Sequence, residues 1–130
     1  MKFSMTEHGF ETTTKFGTMI ISSNDDYGFR PYQLLVSSLA ACSGGVLKKV
    51  LEKMRMPANK ISIEVKDVIR NAEEANKVEK VYLHFIIEGE MIDDNKMLRA
   101  MELTNKNCAM VQSVAKSIEV FETYEVNISK

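Results

Sequence analysis

The chain is expected to fold as one α+β domain, residues 1–130, with antiparallel sheets around a long central helix and a second, kinked helix. Three observations carry that expectation. Short alternating runs rich in Thr, Val, Ile and aromatic residues cluster at the start, middle and end of the chain, which is how strands read. Two longer segments repeat apolar residues at spacings of three and four, as helices do. Strands and helices do not alternate one for one, so βαβ units are not the organising motif and antiparallel pairing is expected.

Taken in order, Phe3 and Met5, then Phe10 to Phe16, then Met19 and Ile21 read as strand material, with Gly9 and Gly17 as turns or bulges. SNDDYG at 23–28 is a loop, made of residues that bond their own backbone or tolerate positive φ. Pro31 opens a helix, where its fixed φ and missing N–H do no harm, and the helix should run to about Met54 and stop before Pro57. Its core stripe is read as Leu35, Leu39, Cys42, Val46, Val50 and Met54, with Leu34, Leu47 and Leu51 widening the apolar surface. That extra width suggests a covering layer, most simply from a second subunit. Gly44 and Gly45 should each cost the helix roughly 1 kcal/mol relative to Ala, so something is expected to pack closely there, either a helix or a substrate.

Ile61, Ile63 and Val65 alternate with polar residues as a half-buried strand, and NAEEANK at 71–77 is a polar turn. Val81, Leu83, Phe85 and Ile87 line one side of the next strand. Asp93 or Asp94 can cap a second helix, whose stripe is Met97, Met101, Thr104, Cys108, Val111 and Ala115. The TNKN stretch at 104–107 has poor helix propensity. A kink is expected there, leaving Cys108 near the start of the second segment. A strand from Ile118 to Ile128 ends the chain.

Composition narrows the function classes. Seventeen Lys plus Arg against eighteen Asp plus Glu give a formal charge of −1, without the basic stripe that nucleic-acid binding needs. No unbroken apolar run approaches the ~20 residues of a membrane span. The N-terminus, MKFSMTEHGF, lacks the apolar stretch of a signal peptide, so a cytoplasmic protein is expected.

Two cysteines, Cys42 and Cys108, are too few for a disulfide framework and belong to no CxxC motif. Both fall on apolar helical lines. On spacing alone, packing as small buried hydrophobes is the commoner role for such thiols. The other reading is a redox pair, in which Cys42 becomes a sulfenic acid and Cys108 captures it as a disulfide. That chemistry needs a depressed pKa. Cys42 lies well inside its helix, so a nearby Arg or Lys is expected to supply it.

The segment RPYQLLVSSLAAC at 30–42 resembles the OsmC/Ohr family, in which a Pro opens the central helix and an Ala-rich stretch leads into a cysteine. Cys108 follows 108 − 42 = 66 positions later in MELTNKNCAMVQSV, a context similar to that of the family's second cysteine. The resemblance implies an intertwined homodimer and a peroxidase that reduces organic hydroperoxides. Cys42 would be the peroxidatic thiol and Cys108 the resolving one, with a dithiol as reductant and no metal or organic cofactor. Peroxidase members place a Glu after the Pro, paired with an Arg from the N-terminal strands. Here Tyr32 and Gln33 follow, no Arg precedes Arg30, and Ala109 stands where the family often has Pro. Arg30 is then the candidate support for the thiolate, and Tyr32, Gln33 and Ser43 are candidate pocket residues.

Two alternatives stay open: a non-catalytic member binding a small apolar or thiol-bearing ligand, and a redox sensor. His8 and His84 stand alone and read as surface histidines, Glu73 and Glu74 as a solvated turn, and most of the nine methionines as core.

Overall fold

A computed structural model of the chain describes residues 1–128. Its contacts group the chain into two compact units, Met1–Ser37 and Ser38–Lys130. The first holds an antiparallel meander of β1 (Phe3–Met5), β2 (Phe10–Thr13) and β3 (Thr18–Ile21), as expected. The turns close through Thr6 N–H to the Gly9 carbonyl and Thr14 N–H to the Gly17 carbonyl, both at 2.8 Å. Gly9 lies so close under the Ile21 carbonyl that a Cβ would collide with it, which fixes glycine at that turn. In the 23–28 loop, Asp26 N–H donates to Asn24 Oδ1 at 2.9 Å, an Asx turn. His8 stacks on Tyr27 with centroids 3.6 Å apart.

Helix α1 (Pro31–Lys53) starts where Pro31 predicts. Gln33 Oε1 reaches back to accept the Arg30 N–H at 3.0 Å, one half of a capping box. At the other end Arg55 takes a left-handed φ of 61°. Arg55 N–H then bonds the Glu52 carbonyl at 3.0 Å and Met56 N–H the Leu51 carbonyl at 2.9 Å. This is a Schellman closure with an arginine where glycine is usual, and it turns the chain into Pro57.

The second unit contains β4 (Lys60–Asn71), β5 (Lys77–Glu88), a 3₁₀ turn at Asp94–Lys96, α2 (Met97–Asn107), α3 (Ala109–Val114) and β6 (Glu119–Asn127). Asp93 caps the 3₁₀ turn by accepting from Asn95 N–H at 3.0 Å. β4 and β5 pair antiparallel, with Ile61 opposite Ile87 and Ile63 opposite Phe85. β5 and β6 pair in parallel, with Leu83 opposite Glu122. Antiparallel pairing was expected throughout, and this ladder corrects it. The segment 89–118, with α2 and α3, is a crossover connection, which is what parallel neighbours require.

Val81, Leu83, Phe85 and Ile87 are fully enclosed, together with Leu39, Leu47 and Leu51 of α1 and Met97 and Ala100 of α2. The deepest line of α1 in this unit is therefore Leu39, Ser43, Leu47 and Leu51, rotated from the expected stripe. Cys42, Val46, Val50 and Met54 form its half-buried flank. The apolar surface of α1 is wide enough to hide its centre, and a serine in the buried line disguised it further. By length and composition α1 also meets the requirements of a bilayer span, although its sequence holds no unbroken apolar run of that length; here its core line is buried in protein. A Cβ on Gly44 would sit 2.8 Å from Ile63 Cδ1, so its close protein neighbour is strand β4 and not another helix. Nothing lies within 4 Å of the corresponding position at Gly45.

The two faces of α1 should respond differently to truncation. Leu47→Ala is expected to destabilise by about 2–5 kcal/mol, the range for a fully buried leucine. Val46→Ala on the half-buried flank should cost clearly less, and urea unfolding midpoints of the two variants measure the difference.

Candidate functional site

The site is built in the second unit, where α1 meets the junction of α2 and α3. Cys108 has φ −80° and ψ 109°, so it ends α2 and serves as N-cap of α3. The expected break is thus real but falls on the cysteine itself, after TNKN, which remains helical. Starting a new helix exposes a fresh set of N–H groups without partners in their own helix. Those of Met110 and Ala109 turn to Cys42, and that of Val111 serves Cys108.

Both thiols are reduced, Cys42 half-buried and Cys108 fully enclosed. Met110 N–H is the chief cause that holds the Cys42 thiol below the ordinary range; the Cys108 thiol and Ala109 N–H add to it, against a desolvation that raises it. Burial pushes the Cys108 thiol the other way, above the ordinary range. Ser43 and Val111 N–H partly offset that rise, and neighbouring Cys42 reinforces it. The pair is tuned in opposite directions, Cys42 towards the thiolate and Cys108 towards the thiol. A cationic side chain was expected to lower the Cys42 pKa, but the groups that lower it are backbone N–H groups of a short helix and the Cys108 thiol.

Ser43 is fully buried and its hydroxyl donates to Cys108 Sγ at 3.3 Å. It also faces Glu122 of β6, whose carboxyl is raised by burial and lowered by Asn105 and Ser43. Asn105 Nδ2 donates to Glu122 Oε1 at 2.8 Å. Below the thiols, Val46, Val50, Met54 and Leu103 line a groove of about 480 Å³ with Lys49, Lys53 and Asn107. Val46, the lining residue nearest Cys42 in sequence, is one helical turn from it. Met54 is a methionine that lines it; Met56, Met97 and Met101 pack in the core.

Of the residues singled out from the sequence, Cys42, Ser43 and Cys108 come together. Arg30, Tyr32 and Gln33 belong to the first unit and form their own cluster. Arg30 Cζ lies 4.8 Å over the Tyr32 ring and its Nε 3.9 Å from Asp25 Oδ1. His84 is tied to Thr123 at 2.7 Å and Glu125 at 3.3 Å on the outer sheet face. Among the described residues no three His, Cys, Asp or Glu side chains cluster as metal ligands do. Sequence reasoning missed Glu122, Asn105 and the N–H groups of 109–111. Glu122 did leave a signal: Val120, Tyr124 and Val126 share its strand face, so it interrupts an apolar alternation.

The family model for "OsmC-like protein" matches residues 23–122. Protein YhfA of Escherichia coli K12 is 25% identical over 118 residues, covering 89% of this chain and 87% of that protein. A hypothetical protein of Aquifex aeolicus VF5 has the same fold, with TM-score 0.86 at 21% identity over 99% of this chain and 96% of that one. An organic hydroperoxide resistance protein of Elizabethkingia anophelis superposes with TM-score 0.75 at 18% identity, over 98% and 97% of the two chains.

The polarisation should be visible in alkylation. A lowered pKa leaves the thiolate present above that value and lost as pH falls through it. The pH midpoint of iodoacetamide labelling should therefore be lower for Cys42 than for a free thiol, and higher for Cys108. Ala109→Pro removes one donor at a helix position that tolerates proline, after a residue already extended as proline demands. The Cys42 profile should then shift to higher pH with the fold unchanged by circular dichroism.

Proposed function

The chain belongs to the OsmC-like protein family, and from that premise we propose that it is a thiol-dependent peroxidase reducing organic hydroperoxides. The observation that carries this reading is the opposed tuning of two neighbouring thiols, with Cys42 favoured as thiolate and Cys108 as thiol. The Cys42 thiolate attacks the outer peroxide oxygen. A sulfur–oxygen bond forms, the oxygen–oxygen bond breaks, and the alkoxide leaves and takes a proton from water. Cys108 then attacks the sulfenic sulfur, forming the Cys42–Cys108 disulfide and expelling the oxygen as water. A dithiol returns both sulfurs to the reduced state. The apolar groove lined by Val46, Val50, Met54 and Leu103 suits a substrate with a hydrocarbon body, in keeping with the organic hydroperoxide resistance protein of Elizabethkingia anophelis that shares the fold.

The functional form is a homodimer in the cytoplasm, and both compact units belong to one OsmC-like domain, since α1 runs through their boundary. Phe3, Phe10, Phe16 and Phe29 of the first unit are about half exposed or more, an apolar surface that a second copy would cover. One observation favours a second reading. Tyr32 stands where peroxidase members have Glu, so the groove could serve a non-catalytic member that binds a small apolar ligand. A redox sensor would instead show one oxidation and no sustained turnover.

Cumene hydroperoxide separates these readings. One equivalent should convert wild type to the Cys42–Cys108 disulfide by intact mass and peptide mapping, reversibly with a dithiol. Cys42→Ser should consume no peroxide beyond background. Cys108→Ser should complete one reaction and stop as a sulfenic acid that dimedone captures. Thiols that stay reduced in excess oxidant would overturn the peroxidase reading and leave ligand binding.

A further inference from the structure

Cys108 poses a chemical problem that its surroundings answer. To resolve a sulfenic acid it must lose its proton, yet it is fully enclosed and its thiol is raised above the ordinary range. The polar side chains that touch it are Cys42, the group it attacks, and Ser43, whose hydroxyl lies 3.3 Å from its sulfur. Ser43 is itself fully buried, so it cannot pass a proton to bulk water directly. Beyond Ser43 stands Glu122, placed by β6 on the face of Leu83. Asn105 holds one carboxyl oxygen at 2.8 Å. The other, Oε2, is buried and has no hydrogen-bond partner among the described residues. Leaving a buried carboxylate oxygen unmet is destabilising, and a strand position flanked by apolar neighbours would be better filled by valine on packing grounds. No charged side chain is among the groups that shift this carboxyl; Asn105 from α2 and Ser43 from α1 are the ones that reach it.

We propose that Ser43 and Glu122 form the proton path of the resolving thiol, with Ser43 touching the sulfur and Glu122 acting through it. A hydroxyl accepts and donates at once, so rotation about the Ser43 C–O bond lets it take the Cys108 proton while giving its own to Glu122. The Cys108 thiolate then attacks Cys42. A sulfur–sulfur bond forms, the sulfur–oxygen bond breaks, and the departing hydroxide becomes water with a proton from solvent. Glu122 later returns its proton to solvent, so the step is balanced. During reduction the same path runs backwards and protonates Cys108 as it leaves the disulfide. This deepens the reading of Cys108 as resolving thiol and rests on it.

The test uses no peroxide. Methyl methanethiosulfonate caps Cys42 as a methyl disulfide, and attack by Cys108 then releases methanethiol and closes the Cys42–Cys108 disulfide, followed by quenched-flow mass spectrometry. In Glu122→Gln the release should slow by about 10²-fold at neutral pH, the lower range for losing a positioned acid–base group. Its rate should climb about tenfold per pH unit as hydroxide takes over, where wild type is flat. Glu122→Asp should recover part of the rate. Glu125→Gln, on the outer face of the same strand, should match wild type. Should Glu122→Gln fail to fold, Ser43→Ala is expected to give the same slowing and the same slope. A wild-type rate or a wild-type pH profile in the variant tested overturns the path. A protein that closes the disulfide from the methyl-capped form but ignores hydroperoxides would overturn the peroxidase reading alone.

Discussion

The site depends on a single backbone departure, the extended conformation of Cys108 between two helices. Were α2 and α3 one continuous helix, the N–H groups of 109–111 would bond to carbonyls of the preceding turn. The break frees them, and Met110 and Ala109 bring two of them to Cys42. It also seats the Cys108 side chain in the enclosed space beside Ser43. One torsion angle thus distinguishes two thiols that are otherwise chemically identical. The effect is local and uses dipoles, which are screened little inside a protein, so it requires no charged side chain.

The broad architecture was legible because it rests on strong periodic signals. Val81, Leu83, Phe85 and Ile87 alternate cleanly, and the Pro31 start and Pro57 stop bound α1 well. The parallel β5–β6 ladder was not legible, since alternation describes a strand's faces and carries no direction for its neighbour. The rotated core line of α1 was hidden by abundance: with leucines on both sides, periodicity alone could not identify the centre. Cys42, Cys108 and Ser43 were readable from their shared context. The activating groups were not, because backbone N–H groups are present in every residue, and only the break at Cys108 makes three of them special. A site that draws on the main chain leaves little trace in side-chain identity.

The polar residues in the core follow a common logic. Ser43 lies between Leu39 and Leu47, and Thr104 between Met101 and Cys108, both fully enclosed. Thr104 is satisfied locally, its hydroxyl donating to the Ala100 carbonyl at 2.8 Å, and so asks nothing of the site. Ser43 spends its hydrogen bond on a sulfur, a weak acceptor. Glu122 leaves an oxygen unmet. Polar groups that give up stability in this way tend to sit where chemistry happens, and Ser43 neighbours both Glu122 and the buried thiol. The groove before Cys42 is by contrast mostly apolar, with lysines at its side. The buried thiol therefore has polar neighbours on one side, Ser43 and Glu122, while the groove lined by Val46, Val50, Met54 and Leu103 is mostly apolar.

The crossover that makes β5 and β6 parallel has a consequence for the life of the polypeptide before it is folded. Cys42 and Cys108 lie on segments far apart in sequence, and α2 and α3 must dock before the N–H groups reach the first sulfur. In an unfolded chain both residues are ordinary thiols, largely protonated at neutral pH. Reactivity is thus acquired with tertiary structure, late in a topology of long-range contacts. In the unfolded chain Cys42 is no better a nucleophile than Cys108, and the difference between them arises only once the fold is complete.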